Sequence, residues 1–367
     1  MKKIYYITAV FATLFLVGCG DGIDLPGVNV ETDLNKIPLP DNNVNLEQVE
    51  LKPSTKPMLH EGLHTEEDFQ RIRDKKAAGE EPWVSAYQLL VESQFSQKTA
   101  DTYPTEWIKR GVSGDENYMN AARGATIAYQ QALRWKIEQD DEYAAKAVEN
   151  LNKWVQTCVG VTGNTNLSLA AGLYGYEFAI AGELLRDYEG WDRADFAAFQ
   201  NWLLKVFYPA NDDFLKRHHD TNPLHYWANW CLCNIAAKMA IGIVTDRRDI
   251  YNEGIGHLQT GDTNGRLRRA IYHDYAPDYN FAQWQESGRD QGHTLMCVGL
   301  MGIICQLAWS QGDDFFAYDD NLFMRACEYA ACCNYTNETV PYTTYIWQKQ
   351  SQWGYPIPEE QTTLGGG

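Results

Sequence analysis

Beyond residue 65 apolar residues return every three or four positions, and strict two-residue alternation is scarce, so the sequence predicts helices almost throughout. Thr65 followed by Glu66, Glu67 and Asp68 reads as a helix cap with an acidic first turn, and Ser113-Gly114-Asp115-Glu116 as a capping box ahead of a helix over 118–137. Further helices are expected over 141–157 and over 168–187, where Leu169, Leu173, Tyr176, Ile180 and Leu184 keep one apolar stripe. Others fit 192–207, 224–244, 247–259, 287–311 and 319–334. Short connections rich in Gly, Asp and Asn make consecutive helices antiparallel hairpins. Hairpins set around a ring leave a cleft, so the expected fold class is all-α: an (α/α) toroid, an incomplete barrel of antiparallel helical hairpins. No fixed-period repeat points to a tetratricopeptide array instead.

Two places break the apolar pattern with clustered polar chemistry. In the stretch 283–294, Gln-Trp-Gln-Glu-Ser-Gly-Arg-Asp-Gln-Gly-His-Thr, a helix beginning near Glu286 would put Glu286, Arg289 and His293 at i, i+3 and i+7 on one face. The stretch 222–230, Asn-Pro-Leu-His-Tyr-Trp-Ala-Asn-Trp, repeats that spacing with Asn222, His225 and Asn229 before the apolar run 231–244. Asn222 and Pro223 also read as an ordinary N-cap and first helical residue, and either histidine alone could be structural. Two such helix openings together suggest a shared polar cleft lined by aromatic rings.

The N-terminus changes the picture of where this body sits. Met1-Lys2-Lys3, an apolar stretch over 4–16 and Leu16-Val17-Gly18-Cys19 read as a bacterial lipoprotein signal (1–19) with Cys19 lipidated, which places the protein in the cell envelope with a lipid anchor as its membrane contact. The proline-punctuated segment 20–57 is expected to be a flexible tether, and 58–367 a single folded domain. The closing glycines at 365–367 read as the end of a chain that continues. Eight cysteines beyond Cys19 form no C-x-x-C pair and fit small buried hydrophobes, and His218, His219 and His225 lack acidic or cysteine partners at a metal-ligand spacing. With 49 acidic against 31 basic residues, a net charge of −18 argues against nucleic acid. It leaves room for an anionic sugar, since local basic clusters stand at 216–219 and 266–269.

At Tyr226-Trp227-Ala228-Asn229-Trp230 and at Glu286-Ser287-Gly288-Arg289-Asp290-Gln291-Gly292-His293 the chain resembles the alginate lyase superfamily of α/α toroid polysaccharide lyases, most closely polysaccharide lyase family 38. The resemblance runs from His60-Glu61-Gly62-Leu63-His64 to Pro341-Tyr342 and implies β-elimination on a uronic-acid polymer such as alginate or glucuronan. Better-known members carry an Asn-His pair immediately before the Tyr-Trp-Ala element, where this chain has Pro223 and Leu224. Their catalytic tyrosine aligns with His293, so Tyr226, Tyr342 and Tyr345 are the phenols available here.

That chemistry explains the residue types. The C5 proton of a uronate is barely acidic until its carboxylate is neutralised, a task suited to Arg289 with amides from Asn222 or Asn229. A base at C5 and an acid at the departing oxygen are then needed, and His225, His293 and Tyr226 are the candidates. Substrate contacts are expected from His219, Asn229, Trp230, Trp284, Glu286 and Tyr342, with Glu286 and Asp290 also orienting Arg289 and His293. The scheme calls for no metal and no organic cofactor. Two other readings stay open: a glycoside hydrolase using Glu286 or Asp290 with Asp220, and a non-catalytic glycan-binding lipoprotein.

Overall fold

The computed structural model describes residues 54–336 and 338–366, so the signal sequence, Cys19 and the tether up to residue 53 lie outside the described residues. Ser54, Lys56 and Pro57 already belong to the body, because Asn252 donates to the Ser54 carbonyl at 3.0 Å and Arg248 to those of Lys56 and Pro57 at 2.9 and 3.0 Å. The tether boundary at 57 is therefore a few residues late.

Twelve α-helices are described: α1 Glu66–Ala77, α2 Trp83–Glu92, α3 Tyr118–Glu138, α4 Asp141–Thr157, α5 Asn166–Leu184, α6 Arg193–Val206, α7 Tyr208–Arg217, α8 Ala228–Val244, α9 Arg248–Thr260, α10 Leu267–Ala270, α11 Gln291–Ser310 and α12 Tyr318–Tyr335. Three two-stranded sheets decorate them. β1 Trp107–Arg110 runs parallel to β2 Gly160–Gly163, β3 Ile271–Asp274 antiparallel to β4 Ala282–Trp284, and β5 Tyr345–Trp347 antiparallel to β6 Glu359–Gln361. The fold is the expected α/α toroid.

Helices α3, α5, α8 and α11 form the inner layer, and α4, α6, α7, α9 and α12 back them. Sequence dictates the division. Every residue of α8 is buried, whereas α4 buries one face through Tyr143, Ala147, Leu151 and Trp154 at helical spacing. Gly172 lets α5 and α8 approach, since a Cβ there would sit 2.4 Å from Cys233 Sγ. Lys238, fully buried in α8, is neutralised by Asp212 at 2.7 Å and Glu253 at 2.6 Å.

The inner helices run parallel. Near their starts, Asn234 of α8 donates to Ser168 O of α5 at 3.2 Å; at their ends Arg186 donates to Val244 O at 2.9 Å. Tyr118 stacks on Tyr174 at the start of α3, and Trp135 meets Tyr188 at its finish. The start of α11 adjoins that of α8, because Glu286 accepts from Asn229 N at 3.1 Å. Four helix N-termini, each with a partial positive charge, therefore gather at one end of the ring.

Three local expectations fail there. The residues 113–116 form no capping box: Glu116 accepts from Gly111 N, and α3 starts at Tyr118 without a side-chain cap. Helix α8 begins at Ala228, four residues later than expected, because its first amides are taken by side chains from across the cleft. Helix α11 begins at Gln291 because Asp290 accepts from His293 N at 2.7 Å and caps it. Glu286 and Arg289 consequently sit in a turn before the helix.

Candidate active site

The turn 284–289 folds back on itself, with Arg289 N donating to Glu286 O at 2.9 Å, and this brings together what helical spacing was expected to align. Arg289 Nη1 lies 3.4 Å from Glu286 Oε2, and its guanidinium stands 5.3 Å over the Trp227 ring. One turn on, His293 Nδ1 donates to Asp290 Oδ2 at 2.6 Å. The carboxylate fixes the ring and the tautomer, which leaves a lone pair on Nε2. Both Arg289 and His293 keep part of their side chains exposed, 21% and 17%.

Glu286 is a positioning residue. It is fully buried, so the expectation that it touches substrate fails. Its Oε1 takes Asn229 N, and Gln285 Oε1 takes Ala228 N at 3.0 Å, so these two side chains cap α8 from the neighbouring segment. Burial pushes the Glu286 carboxyl up, while Arg289 and then His293 pull it down.

The second polar cluster is held by the C-terminal hairpin, which sequence reasoning did not connect to it. Gln350 N donates to His225 Nδ1 at 2.9 Å, Trp347 Nε1 donates to His225 O at 2.7 Å, and Trp347 stacks on Trp227 at 4.2 Å. Because Nδ1 accepts a backbone proton, the neutral His225 ring carries its own proton on Nε2. Burial, with a smaller push from Lys349, lowers its pKa to about 4. His225 is thus a hydrogen-bond donor at neutral pH, whereas the His293 ring is held through Nδ1 by Asp290.

Asn222, expected to serve the cleft, clamps that hairpin. Its Oδ1 accepts from Leu224 N and its Nδ2 donates to Gln348 O, both at 2.8 Å. Tyr226 is mostly buried, and burial pushes its phenol up to about 12, with a Thr165 hydrogen bond acting the other way. His219, in the left-handed backbone run 218–220, places Nε2 2.9 Å from Ser168 Oγ and its ring beside Tyr226. Asn229 is fully buried with neither amide atom partnered, a state that calls for a water or a ligand group.

Two aromatic expectations are corrected. Trp284 is fully buried and donates to Ala326 O at 2.9 Å, and Trp230 is buried against Tyr226, so neither offers a face to a sugar. Tyr342 donates to Gln361 O at 3.1 Å and Tyr345 to Gln285 O, so both phenols tie down the hairpin. The carboxylate pair of the hydrolase reading is absent too: Glu286 is buried, Asp290 holds His293, and Asp220 lies exposed against Arg217.

The sequence matches the alginate lyase family model over residues 72–338, most of the described body. The chain belongs to the alginate lyase family. It is accordingly a polysaccharide lyase with the α/α toroid of that family. Similar solved structures include alginate lyase A1-III from Sphingomonas species A1, with 13% identity, 76% of this chain and 80% of that chain covered, and a TM-score of 0.54. A variant of alginate lyase A1-III complexed with a tetrasaccharide has 14% identity, 77% and 81% coverage, and a TM-score of 0.57. An alginate lyase from Bacteroides ovatus has 14% identity, 73% and 82% coverage, and a TM-score of 0.50. At these identities the likeness concerns the fold. No curated protein matches the sequence.

Proposed function

We propose that this lyase cleaves alginate, or a closely related polyuronate such as glucuronan, by β-elimination in the cleft between the starts of α8 and α11. The observation that carries the reading is the pairing of a partly exposed Arg289, seated over Trp227, with His293 oriented by Asp290. The family match and the names of the similar structures support alginate as the substrate. The motif around Arg289 supports placement in polysaccharide lyase family 38.

Arg289 neutralises the uronate carboxylate, and a cation about 4 Å from it at an effective dielectric of about 20 supplies on the order of 4 kcal/mol. His225 Nε2–H adds a donor without adding charge, and Asn229 contributes its unpartnered amide. His293 Nε2 takes the C5 proton. The C5–H electrons become the C4–C5 double bond, the C4–O bond breaks, and the departing oxygen is protonated by a tyrosine, for which Tyr226 is the candidate because its raised pKa keeps it an acid. A panel of alginate, glucuronan and neutral glycans, followed by ultraviolet absorbance of unsaturated uronate, tests the reading. Absorbance growth on no polyuronate would defeat it.

The N-terminal sequence further supports a lipoprotein anchored at Cys19 in the cell envelope.

A further inference from the structure

Beside Trp347 lies a recess walled by Leu224, Arg269, Tyr272, Gln285, Tyr345 and Gln348. It has room for a carboxylate-sized group and none for a sugar ring. Most polar groups on its wall already have partners: Tyr272 donates to Thr343 O, Tyr345 to Gln285 O, and Gln285 accepts from Ala228 N. Two buried polar atoms there lack a partner, Arg269 Nε and Gln348 Nε2, and both are donors. Gln348 is 5% exposed.

Arg269 is unusual in so acidic a chain. Its neighbour Arg268 is held by Asp319 and, at 3.7 Å, by Asp274, yet no carboxylate pairs with Arg269 among the described residues. Burial, then the nearby Arg266, act against its charge, and Asp262 acts the other way without pairing with it. A half-buried guanidinium and a buried amide, each with a hydrogen to give, call for a ligand that only accepts. A planar carboxylate fits, since its two oxygens serve two donors at once.

We propose that this recess is a second anion site, distinct from the Arg289 cleft, which takes a carboxylate between Arg269 and Gln348 Nε2. Occupancy fastens the C-terminal hairpin to the body, and that hairpin carries Trp347 and Gln350, which hold His225. The carboxylate is either free in solution or carried on a uronate. The inference does not depend on turnover, so it stands or falls apart from the lyase reading.

The test is thermal melting of the full chain with acetate, monomeric glucuronate or an oligouronate, at ionic strength held constant with sodium fluoride. Arg289→Ala is the background for the oligouronate arm. A site near saturation raises the melting temperature by about 2 to 5 °C, and Arg269→Gln and Gln348→Leu each abolish the rise. Should Arg269→Gln not fold, Arg269→Lys, which keeps charge and loses the fork, is expected to weaken the response severalfold. Equal shifts at equal carboxylate concentration assign the site to free carboxylates, and a larger shift with oligouronate assigns it to the polymer. No rise in the wild type, or an undiminished rise in both the Arg269 and Gln348 variants, overturns the proposal.

Discussion

Replacing Arg289 by Met removes both the proposed carboxylate clamp and the partner of a buried acid, and the two effects can be separated. Arg289 Nη1 stands 3.4 Å from Glu286 Oε2, with Glu286 fully buried, so the pair attracts by about 5 kcal/mol at an effective dielectric of about 20. Stranding the acid should cost about 3 to 5 kcal/mol of stability. The loss has a pH signature. In the variant, burial holds the Glu286 carboxyl above its unfolded value, so stability is full below about pH 4.5 and falls as pH rises toward the raised folded value. Adding Glu286→Gln removes the stranded charge while keeping an acceptor for Asn229 N, so Arg289→Met/Glu286→Gln should melt close to wild type. If Arg289 serves the substrate, both variants nevertheless lose about 10² to 10³ in kcat. Melting curves and initial rates of unsaturated-uronate formation, taken on the same preparations, decide. A double variant within a few-fold of wild-type kcat would refute the role of Arg289 in the reaction.

Glu177, in α5, has an unpartnered Oε2, and burial lifts its pKa to about 8; stability should decline from about pH 4.5 toward pH 8, and Glu177→Gln should flatten that decline in pH-dependent melts. His225 should titrate near pH 4 by NMR, and because its folded value is depressed, the stability tied to it is present above about pH 6.5 and lost as pH falls through 4. Deleting the His225 ring should loosen the hairpin, read as faster amide exchange at Gln350. Lys238→Ala should cost about 1 to 3 kcal/mol in denaturant melts, since Glu253 and Asp212 lose their buried partner while Asp212 keeps Lys216. Labelled fatty acid should enter the wild type and not Cys19→Ala; equal labelling would remove the anchor.

The fold was legible because periodicity survives wherever a helix has one buried face, as along α4 or α6. Helix starts at the cleft were not. Asp290 was expected to orient Arg289 and His293 and not to cap a helix, yet as the cap of α11 it displaces Glu286 and Arg289 into a turn, where they meet. The late start of α8 has a tertiary cause, since the side chains that satisfy its first amides, Gln285 and Glu286, come from nearly sixty residues downstream. Helical spacing still brought Glu286 and Arg289 to notice, because a tight turn and a helix both place residues three apart side by side. The hairpin that holds His225 was invisible for another reason: Gln350 acts through its backbone N–H, which no residue type advertises. The aromatic density of 342–355 was the one available signal. Trp284 shows the converse, since an indole buried with a backbone partner reads in sequence like one awaiting a sugar.

The central claim is elimination, and the ends of the product chains test it most directly. Alginate digested to completion and examined by mass spectrometry should give oligosaccharides whose new non-reducing ends carry a C4–C5 double bond, each product lighter by one water than the corresponding saturated oligosaccharide. Saturated ends throughout, from a preparation that does cleave the polymer, would contradict the account.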